Sequence, residues 1–140
     1  MRSTGSAAAR RVAAIARGER GSAVAEWALA ASMLAMLFLT VLQLGFAMYV
    51  RAVAIDAAAE GARRAGLAGS SLAEGEARAR EVLESALSAD YAQDVEARAV
   101  EHLGLPAVEV TVRAPLPLIG LLGFPDGLEV QGHAPIESLG

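Results

Sequence analysis

The chain has 140 residues, of which 54% are hydrophobic and none is cysteine, and its formal net charge is −4. Five of the 12 basic residues and one of the 16 acidic residues fall within residues 1–21, so residues 22–140 carry a formal net charge of −8 (7 − 15). A nucleic-acid-binding protein needs a basic patch on its folded part, so that class is excluded. The lack of cysteine excludes disulfides and cysteine-ligated metal sites.

A long apolar run follows the basic N-terminal residues. From Trp27 to Val50 there is no Asp, Glu, Lys or Arg. As a helix this run spans roughly 36 Å, enough to cross a hydrocarbon core of about 30 Å. The arginines ahead of it favour a cytoplasmic N-terminus. We therefore predict a single-pass protein of the cell membrane, with its span at residues 27–50 and its C-terminal part exported.

Three kinds of export segment compete for the first 50 residues. A secretory signal peptide would be cut near the Ala-x-Ala at residues 52–54, but its apolar region normally has only about 7–15 residues. An uncleaved anchor fits the length of the run and leaves Gly21 and Glu26 unexplained. A prepilin-type leader, residues 1–21, would be cut after Gly21 on the cytoplasmic side, and the mature protein would keep the apolar helix. We favour this third interpretation because it accounts for both residues.

The chemistry of this junction follows from residue size and spacing. Gly21 and Ser22 have small side chains, so a protease at the membrane face can approach the backbone closely. Cleavage between them would create an ammonium group on Ser22, one helical turn from Glu26. The new cation can then pair with this carboxylate, within one chain or on a neighbouring subunit. In the simpler alternative, Glu26 is solvated at the headgroup level and acts as a favourable charge at a helix N-terminus.

Helical patterns continue beyond the membrane run. No proline occurs before Pro106, and we expect one helix from about residue 22 to residue 68, with a stabilising pair between Glu60 and Arg64. The stretch Ala68-Gly69-Ser70 should end it. The sequence Ser71-Leu72-Ala73-Glu74 fits a capping box that opens a second helix. That helix has one apolar stripe, formed by Leu72, Ala79, Val82, Leu83, Ala86 and Leu87.

The last third of the chain changes to strand periodicity. Residues 108–113 alternate apolar and polar and are rich in β-branched side chains, so they form the best-defined strand, with residues 128–133 as its partner. Residues 94–102 fit a strand or an extension of the second helix, and we favour the strand. The apolar connection 115–127 is broken by Pro and Gly, and we expect it to pack over the sheet rather than to meet a membrane or a partner. These elements predict an α+β fold.

Catalytic motifs are missing from the sequence. His102 and His133 are the only histidines, and neither forms a metal-ligand spacing. There is no Gly-x-Ser-x-Gly elbow, calcium-loop pattern or Gly-rich phosphate loop. We therefore expect no catalytic residues, no metal, no cofactor and no small-molecule substrate.

Two motifs resemble the TadE-like pseudopilins of tight-adherence (Flp-type) pilus systems. The first is the junction Arg20–Leu29, where a Gly, four mostly small residues, Glu26 and an aromatic residue precede an apolar helix. The aromatic residue is Trp27, where the family more often has Phe or Tyr. The second block follows the span and resembles the family pattern of an aromatic residue and Arg, followed by an Ala-rich stretch that ends in Glu-Gly-Ala-Arg. Its residues are Tyr49, Arg51, Glu60, Gly61, Ala62 and Arg63. The resemblance covers about residues 17–66.

The resemblance implies a pilin-like organisation and a role in pilus assembly. It implies a basic leader at 1–21, a long helix at 22–68 that passes from the membrane to the exterior, and an exported domain at 69–140 with an amphipathic helix and a small antiparallel sheet. The implied partners are the lipid bilayer, a prepilin peptidase, other pilin or pseudopilin subunits and the pilus assembly platform. A filament component, an initiator and a membrane-resident assembly factor all fit this implied role. The alternative class is an uncleaved, membrane-tethered binding module of the cell envelope.

Overall fold

The computed structural model describes residues 4–116 and 124–137, with side chains described for residues 21–116 and 127–137. Two helices precede a three-stranded antiparallel sheet, which confirms the predicted α+β fold. The elements are α1 (Thr4–Gly66), α2 (Leu72–Ala86), a short 3₁₀ helix (Ala89–Ala92), β1 (Asp94–His102), β2 (Leu105–Leu116) and β3 (Phe124–Pro135). The chain forms two compact units, Met1–Leu42 and Gln43–Gly140. The predicted division at residues 21 and 68 concerns processing and export and stays a prediction.

Helix α1 is longer at its N-terminus than the sequence analysis predicts. It begins at Thr4 instead of residue 22, because the leader is rich in Ala and Arg, which are strong helix formers, and contains no proline. It ends at Gly66, two residues before the predicted end. The chain then turns: the amide of Ser70 donates to the carbonyl of Leu67 at 3.0 Å, and Gly69 has a φ of +79°. A left-handed glycine of this kind is a common way to end a helix.

Helix α2 begins at the predicted capping box. The Oγ atom of Ser71 accepts a hydrogen bond from the amide of Glu74 at 3.2 Å, so the N-cap is confirmed. The buried face of the helix consists of Gly75, Ala79 and Leu83. The predicted stripe is therefore correct at residues 79 and 83, and also at residues 82 and 87, which are half-buried against the core. Leu72 and Ala86 lie exposed, and Gly75 takes a buried place.

The sheet has the strand order β1-β2-β3, and both neighbouring pairs are antiparallel. Thr111 in the central strand lies opposite Glu96 on one side and Gln131 on the other. The strand at residues 94–102 is confirmed, and β2 and β3 contain the predicted strands and extend beyond them. The ladder between β2 and β3 reaches Leu116 and Phe124. The part of the predicted connection at 117–123 lies outside the described residues, so its packing stays a prediction.

One face of the sheet packs against the helices and forms the core. Alternation along the strands places Val108, Val110 and Val112 on this face. Helix α1 contributes mostly small side chains. The buried ones are Val50, Ala54, Ala57, Ala58, Ala62 and Ala65. A Cβ atom on Gly132 in β3 would overlap the backbone of α1 at residues 58 and 59. The small residues on both sides thus let the helix backbone lie directly on the strand.

The opposite face of the sheet carries rows of charged and polar side chains. Arg98, Glu109 and His133 lie side by side across the three strands. The Arg98 Nε atom donates to Glu109 at 2.6 Å, and His133 Nε2 lies 2.8 Å from the other carboxylate oxygen. The hydrogen bond from Arg98 holds the pKa of Glu109 below its usual value of 4.5, and burial opposes this shift while His133 adds to it. These partners explain why Glu109 can be buried as an anion.

Candidate membrane span and processing junction

The residues at the predicted processing junction lie exposed on α1. The Ser22 Oγ atom donates a hydrogen bond to Glu26 Oε1 at 3.1 Å, so these two residues share one face of the helix. Gly21 is exposed, and a Cβ atom built on it would meet no atom within 4 Å. A side chain at position 21 would therefore meet no atom outside its own helix backbone, and the carboxylate of Glu26 lies one turn from Ser22 on the same face.

The apolar run after the junction is uncovered by the protein. From Trp27, whose exposed fraction is 72%, to Leu42, every residue except the half-buried Ala31 is exposed. Within the described residues, one helical stretch, Gly21–Gly66, is long and apolar enough to cross a membrane. An exposed apolar surface of this size needs lipid or a partner to cover it. The length and composition of this stretch make it a candidate membrane span.

The hydroxyl groups of Ser32 and Thr40, inside the run, are satisfied within the helix. The hydroxyl of Ser32 donates to the carbonyl of Ala28 at 2.7 Å, and the hydroxyl of Thr40 donates to the carbonyl of Met36 at 2.8 Å. A bilayer core offers no water to hydroxyl groups, so such internal hydrogen bonds are the arrangement that lipid requires.

The second predicted motif lies where α1 packs against α2. Tyr49 donates a hydrogen bond from its hydroxyl to the carbonyl of Ala86 at 3.3 Å. Ala86 is the last residue of α2, and its carbonyl has no partner within that helix. Val50 beside it is buried, and Arg51 points outward and is exposed. The aromatic residue of this motif thus holds the end of α2 against α1.

The Glu-Gly-Ala-Arg part of the motif is a helix-crossing point. Gly61 contacts Gly75 of α2 backbone to backbone, and Ala62 is fully buried. The predicted pair between Glu60 and Arg64 is wrong. Glu60 pairs with Arg63 at 3.3 Å, and Arg64 reaches across to Glu74 of α2 at 2.5 Å. The close glycine contact brings α2 within reach of Arg64, and a prediction based on α1 alone cannot include that partner.

The structure brings the predicted site residues together in two groups. Gly21, Ser22, Glu26 and Trp27 adjoin one another in the first compact unit. Tyr49, Arg51, Glu60, Gly61, Ala62 and Arg63 belong to the second unit, where they carry packing contacts, ion pairs or exposed charge. Across the described residues no group of three or more His, Asp or Glu side chains is placed to bind a metal ion.

Two residues that matter in the second unit, Gly75 and Gly132, are not among those predicted from the sequence. Each is a glycine inside a helix or strand, where glycine costs roughly 0.5–1 kcal/mol relative to alanine. A glycine at such an unfavourable position suggests that another backbone passes close to it, and this was the signal in the sequence. The contacts of Gly75 with α1 and of Gly132 with Ala58 are such approaches.

The fold and the uncovered helix define an α+β protein with one candidate membrane span near its N-terminus. A family model described as TadE-like protein matches residues 21–63, which are 43 of the 140 residues. The match begins at Gly21 and ends at Arg63, so it contains the first motif from Gly21 onward and the whole of the second, and it confirms the resemblance over this segment. It points to a function related to Tad/Flp pili, and proteins of this family are structural rather than enzymatic. No curated protein and no solved structure matches the chain.

Proposed function

We propose that this protein is a TadE-like minor pseudopilin, a membrane-inserted subunit that acts in the assembly or initiation of a Flp-type pilus or a related secretion filament. In this proposal the leader, residues 1–21, is removed by a prepilin peptidase. The observation that carries the proposal is the junction itself: Gly21 and Ser22 are exposed, a carboxylate lies one turn away, and the family match begins at Gly21.

The proposed processing step is the hydrolysis of one peptide bond. Water adds to the carbonyl of Gly21, the bond to the nitrogen of Ser22 breaks, and the products are a carboxylate on Gly21 and an ammonium on Ser22. The prepilin peptidase supplies the catalytic groups. The step removes five arginines and leaves a single new cation at the start of the apolar helix.

The new ammonium group gives Glu26 a partner at the membrane face. The contact of 3.1 Å between the side chains of Ser22 and Glu26 supports a pairing on one helix face. Pairing with the ammonium of a neighbouring subunit uses the same carboxylate and would fix the axial position of one helix relative to the next. The exposed N-terminus of the helix favours an anion by about 0.3–1 kcal/mol as well. An unpaired acid next to an apolar span is costly, so the pairing also favours assembly.

The proposal places each part of the chain relative to the membrane. The basic leader stays in the cytoplasm, the helix crosses the bilayer at residues 27–50, and the sheet is exported. The sheet and α2 would then meet other pilin or pseudopilin subunits and the assembly platform. The tether alternative shares this topology and differs in keeping residues 1–21.

Mass spectrometry of the N-terminus tests the proposal. Protein isolated from membranes of cells that contain the prepilin peptidase should begin at Ser22, and protein from cells without it should begin at Met1. An intact Met1 in both strains would reject the pseudopilin proposal and support the tethered module. A start near Asp56 would instead indicate a secreted protein.

A charge substitution tests the role of the carboxylate. The variant Glu26→Gln keeps the size of the side chain and removes its charge, so we expect normal cleavage and loss of most piliation, counted by electron microscopy. The matched control is Glu19→Gln, because after cleavage its mature chain is identical to that of the wild type. Normal piliation with Glu26→Gln would contradict the proposed pairing.

A further inference from the structure

Two side chains of α2 cover outward-pointing backbone groups in the first half of the sheet edge formed by β1. Glu76 accepts a hydrogen bond from the amide of Ala97 at 3.1 Å, and Arg80 donates to the carbonyl of Val95 at 2.8 Å. Glu76 and Arg80 also pair with each other at 3.1 Å. An edge strand exposes a row of unpaired backbone groups that another strand can use. Here the side chains of α2 take the place of that strand.

The opposite edge, formed by β3, has no such cover among the residues that the structure describes. The amide of Ile136 donates to the carbonyl of Pro106, so even-numbered residues of β3 bond to β2. The amides and carbonyls of the odd-numbered residues Glu129, Gln131 and His133 therefore point away from the sheet. All three residues are exposed, and none of the described residues forms a hydrogen bond to their backbone groups. Six backbone donors and acceptors thus lie along this edge.

Helix α1 runs beside β3 in the same chain direction. Ala58 contacts Gly132, and eight residues later Gly66 lies against Pro135 and accepts a hydrogen bond from the amide of Glu137 at 2.8 Å. Eight helical residues rise about 12 Å, close to the length of the matching piece of strand. The direction of β3 is therefore the same as the direction of α1 over residues 58–66.

We infer that the β3 edge binds an extended strand of a different polypeptide, which adds to the sheet through the backbone groups of Glu129, Gln131 and His133. Strand addition of this kind gives affinity through main-chain hydrogen bonds and specificity through alternate side chains. The site extends over residues 128–134, which is enough for a strand of ordinary length.

A second copy of this chain does not fit the edge. On its β1 edge, Glu76 and Arg80 already occupy the amide of Ala97 and the carbonyl of Val95, so a strand that added there would have to displace both side chains. A symmetric pair of two β3 strands would be antiparallel, and the two copies of α1 would then point in opposite directions. Two chains anchored in one membrane leave it in the same direction. This exclusion, and only this part of the inference, rests on the membrane anchoring in the proposed function.

The side chains along the edge define the chemistry of the partner strand. Leu128 and Val130 are buried on the helix side, so the partner should carry apolar residues on that face. On the other face, Glu129 is about half-exposed and shares Arg113 with Asp94 and Glu96. Three acids around one arginine leave negative charge here, which favours an Arg or Lys opposite Glu129. The partner is therefore an extended segment of alternating polarity with one basic residue.

Amide hydrogen exchange with a defined probe tests the inference. The probe is a synthetic peptide of about ten residues, in which valine alternates with threonine and one threonine is replaced by arginine. With the full chain in detergent micelles, the peptide should slow exchange at the amides of residues 129, 131 and 133 by about tenfold or more. The amides of residues 128, 130 and 132 already bond to β2 and should change little.

Two variants at one position separate edge binding from side-chain effects. Gln131→Pro removes an outward amide without removing a bond to β2, so it should abolish the protection at residues 129 and 133. Gln131→Ala keeps the amide and should bind the peptide like the wild type. Slow exchange at residues 128 and 130 in the proline variant would show that the sheet is intact. No protection of the wild type, or equal protection of the proline variant, would overturn the inference.

A cysteine variant tests the exclusion of a second copy. The chain has no cysteine, so Gln131→Cys carries a single thiol at the centre of the edge. In native membranes it should form no more disulfide-linked homodimer than Leu103→Cys, whose residue is 91% exposed at a hairpin tip and reports random collisions. An excess of the Gln131→Cys homodimer would overturn the exclusion. Both assays work on cleaved or uncleaved chains, so their outcomes are independent of processing after Gly21.

Discussion

Gly61 of α1 and Gly75 of α2 face each other backbone to backbone. A Cβ atom on Gly61 would lie 2.8 Å from the carbonyl oxygen of Gly75, and one on Gly75 would lie 2.7 Å from the carbonyl oxygen of Gly61. Neither carbonyl can move without disturbing its own helix. The crossing of the two helices therefore depends on the absence of both side chains.

The first prediction concerns this crossing. Gly61→Ala should lower the free energy of unfolding by about 1–3 kcal/mol, because the added methyl group has no space and forces the helices apart. Urea unfolding followed by circular dichroism in detergent micelles measures the change. Gly45→Ala is the matched control in the same helix, since its Cβ atom would meet nothing within 4 Å. Equal stability of Gly61→Ala and the wild type would show that the crossing is looser than described.

The second prediction concerns Tyr49. Tyr49→Phe removes the hydrogen bond to the carbonyl of Ala86, and we expect a loss of about 0.5–1 kcal/mol in the free energy of unfolding. The ring is about half-exposed, so water can replace part of the bond. Tyr91→Phe is the control, because its hydroxyl has no hydrogen bond among the described residues. A loss as large in the control would mean that the hydroxyl of Tyr49 has no specific role.

The third prediction concerns the pH dependence set by Glu109. Its pKa in the folded state is held below the usual 4.5, chiefly by Arg98. The stabilising contribution of the anion is therefore complete above the unfolded-state value and is lost as the pH falls through the lower folded-state value. Between about pH 6 and about pH 3, the free energy of unfolding should fall more steeply for the wild type than for Glu109→Gln.

The control for Glu109 is Glu84→Gln, an exposed carboxylate of α2 with no ion pair among the described residues. Its unfolding free energy, measured by urea titration at each pH, should follow the wild-type profile. Parallel profiles for Glu109→Gln and the wild type would show that the contacts with Arg98 and His133 do not couple folding to this proton.

The fourth prediction concerns the hairpin between β1 and β2. Leu103 has a φ of +53° and Gly104 a φ of +80°, as in a type I′ turn. A leucine in this conformation is strained by about 1 kcal/mol, and asparagine tolerates it better. Leu103→Asn should therefore raise the urea midpoint. Leu103→Ala removes the apolar side chain and keeps the strain, so it should leave the midpoint unchanged. A rise of equal size in both variants would assign the effect to the side chain and not to the backbone.

Local sequence patterns were sufficient where local chemistry decides the structure. Ser71 and Glu74 predicted the start of α2, and the alternation of residues 108–113 predicted the central strand. Both patterns involve only residues that are close together in the sequence. The apolar run without charges likewise identified the candidate span. The start of α1 was wrong, because the expected end of the leader was taken as a structural boundary, and helix propensity does not recognise a cleavage site.

Patterns failed where the partner is distant in sequence. Arg64 has Glu60 one turn away, but it pairs with Glu74, which only the glycine crossing brings near. Glu109 and His133 are neighbours only because of the register between β2 and β3. A one-residue shift of that register would turn every side chain of β3 to the other face. Such pairs follow from the assembled fold and have no signature in a single strand.

The Glu76–Arg80 pair has a consequence for stoichiometry. A sheet with two edges that accept strands can lengthen without limit, as in an amyloid fibril. When side chains block one edge, each chain can bind one partner strand at the other edge, and the sheet does not lengthen further. The protein produced at high level should then form assemblies of limited size, and replacing both Glu76 and Arg80 by alanine should shift the product toward fibres.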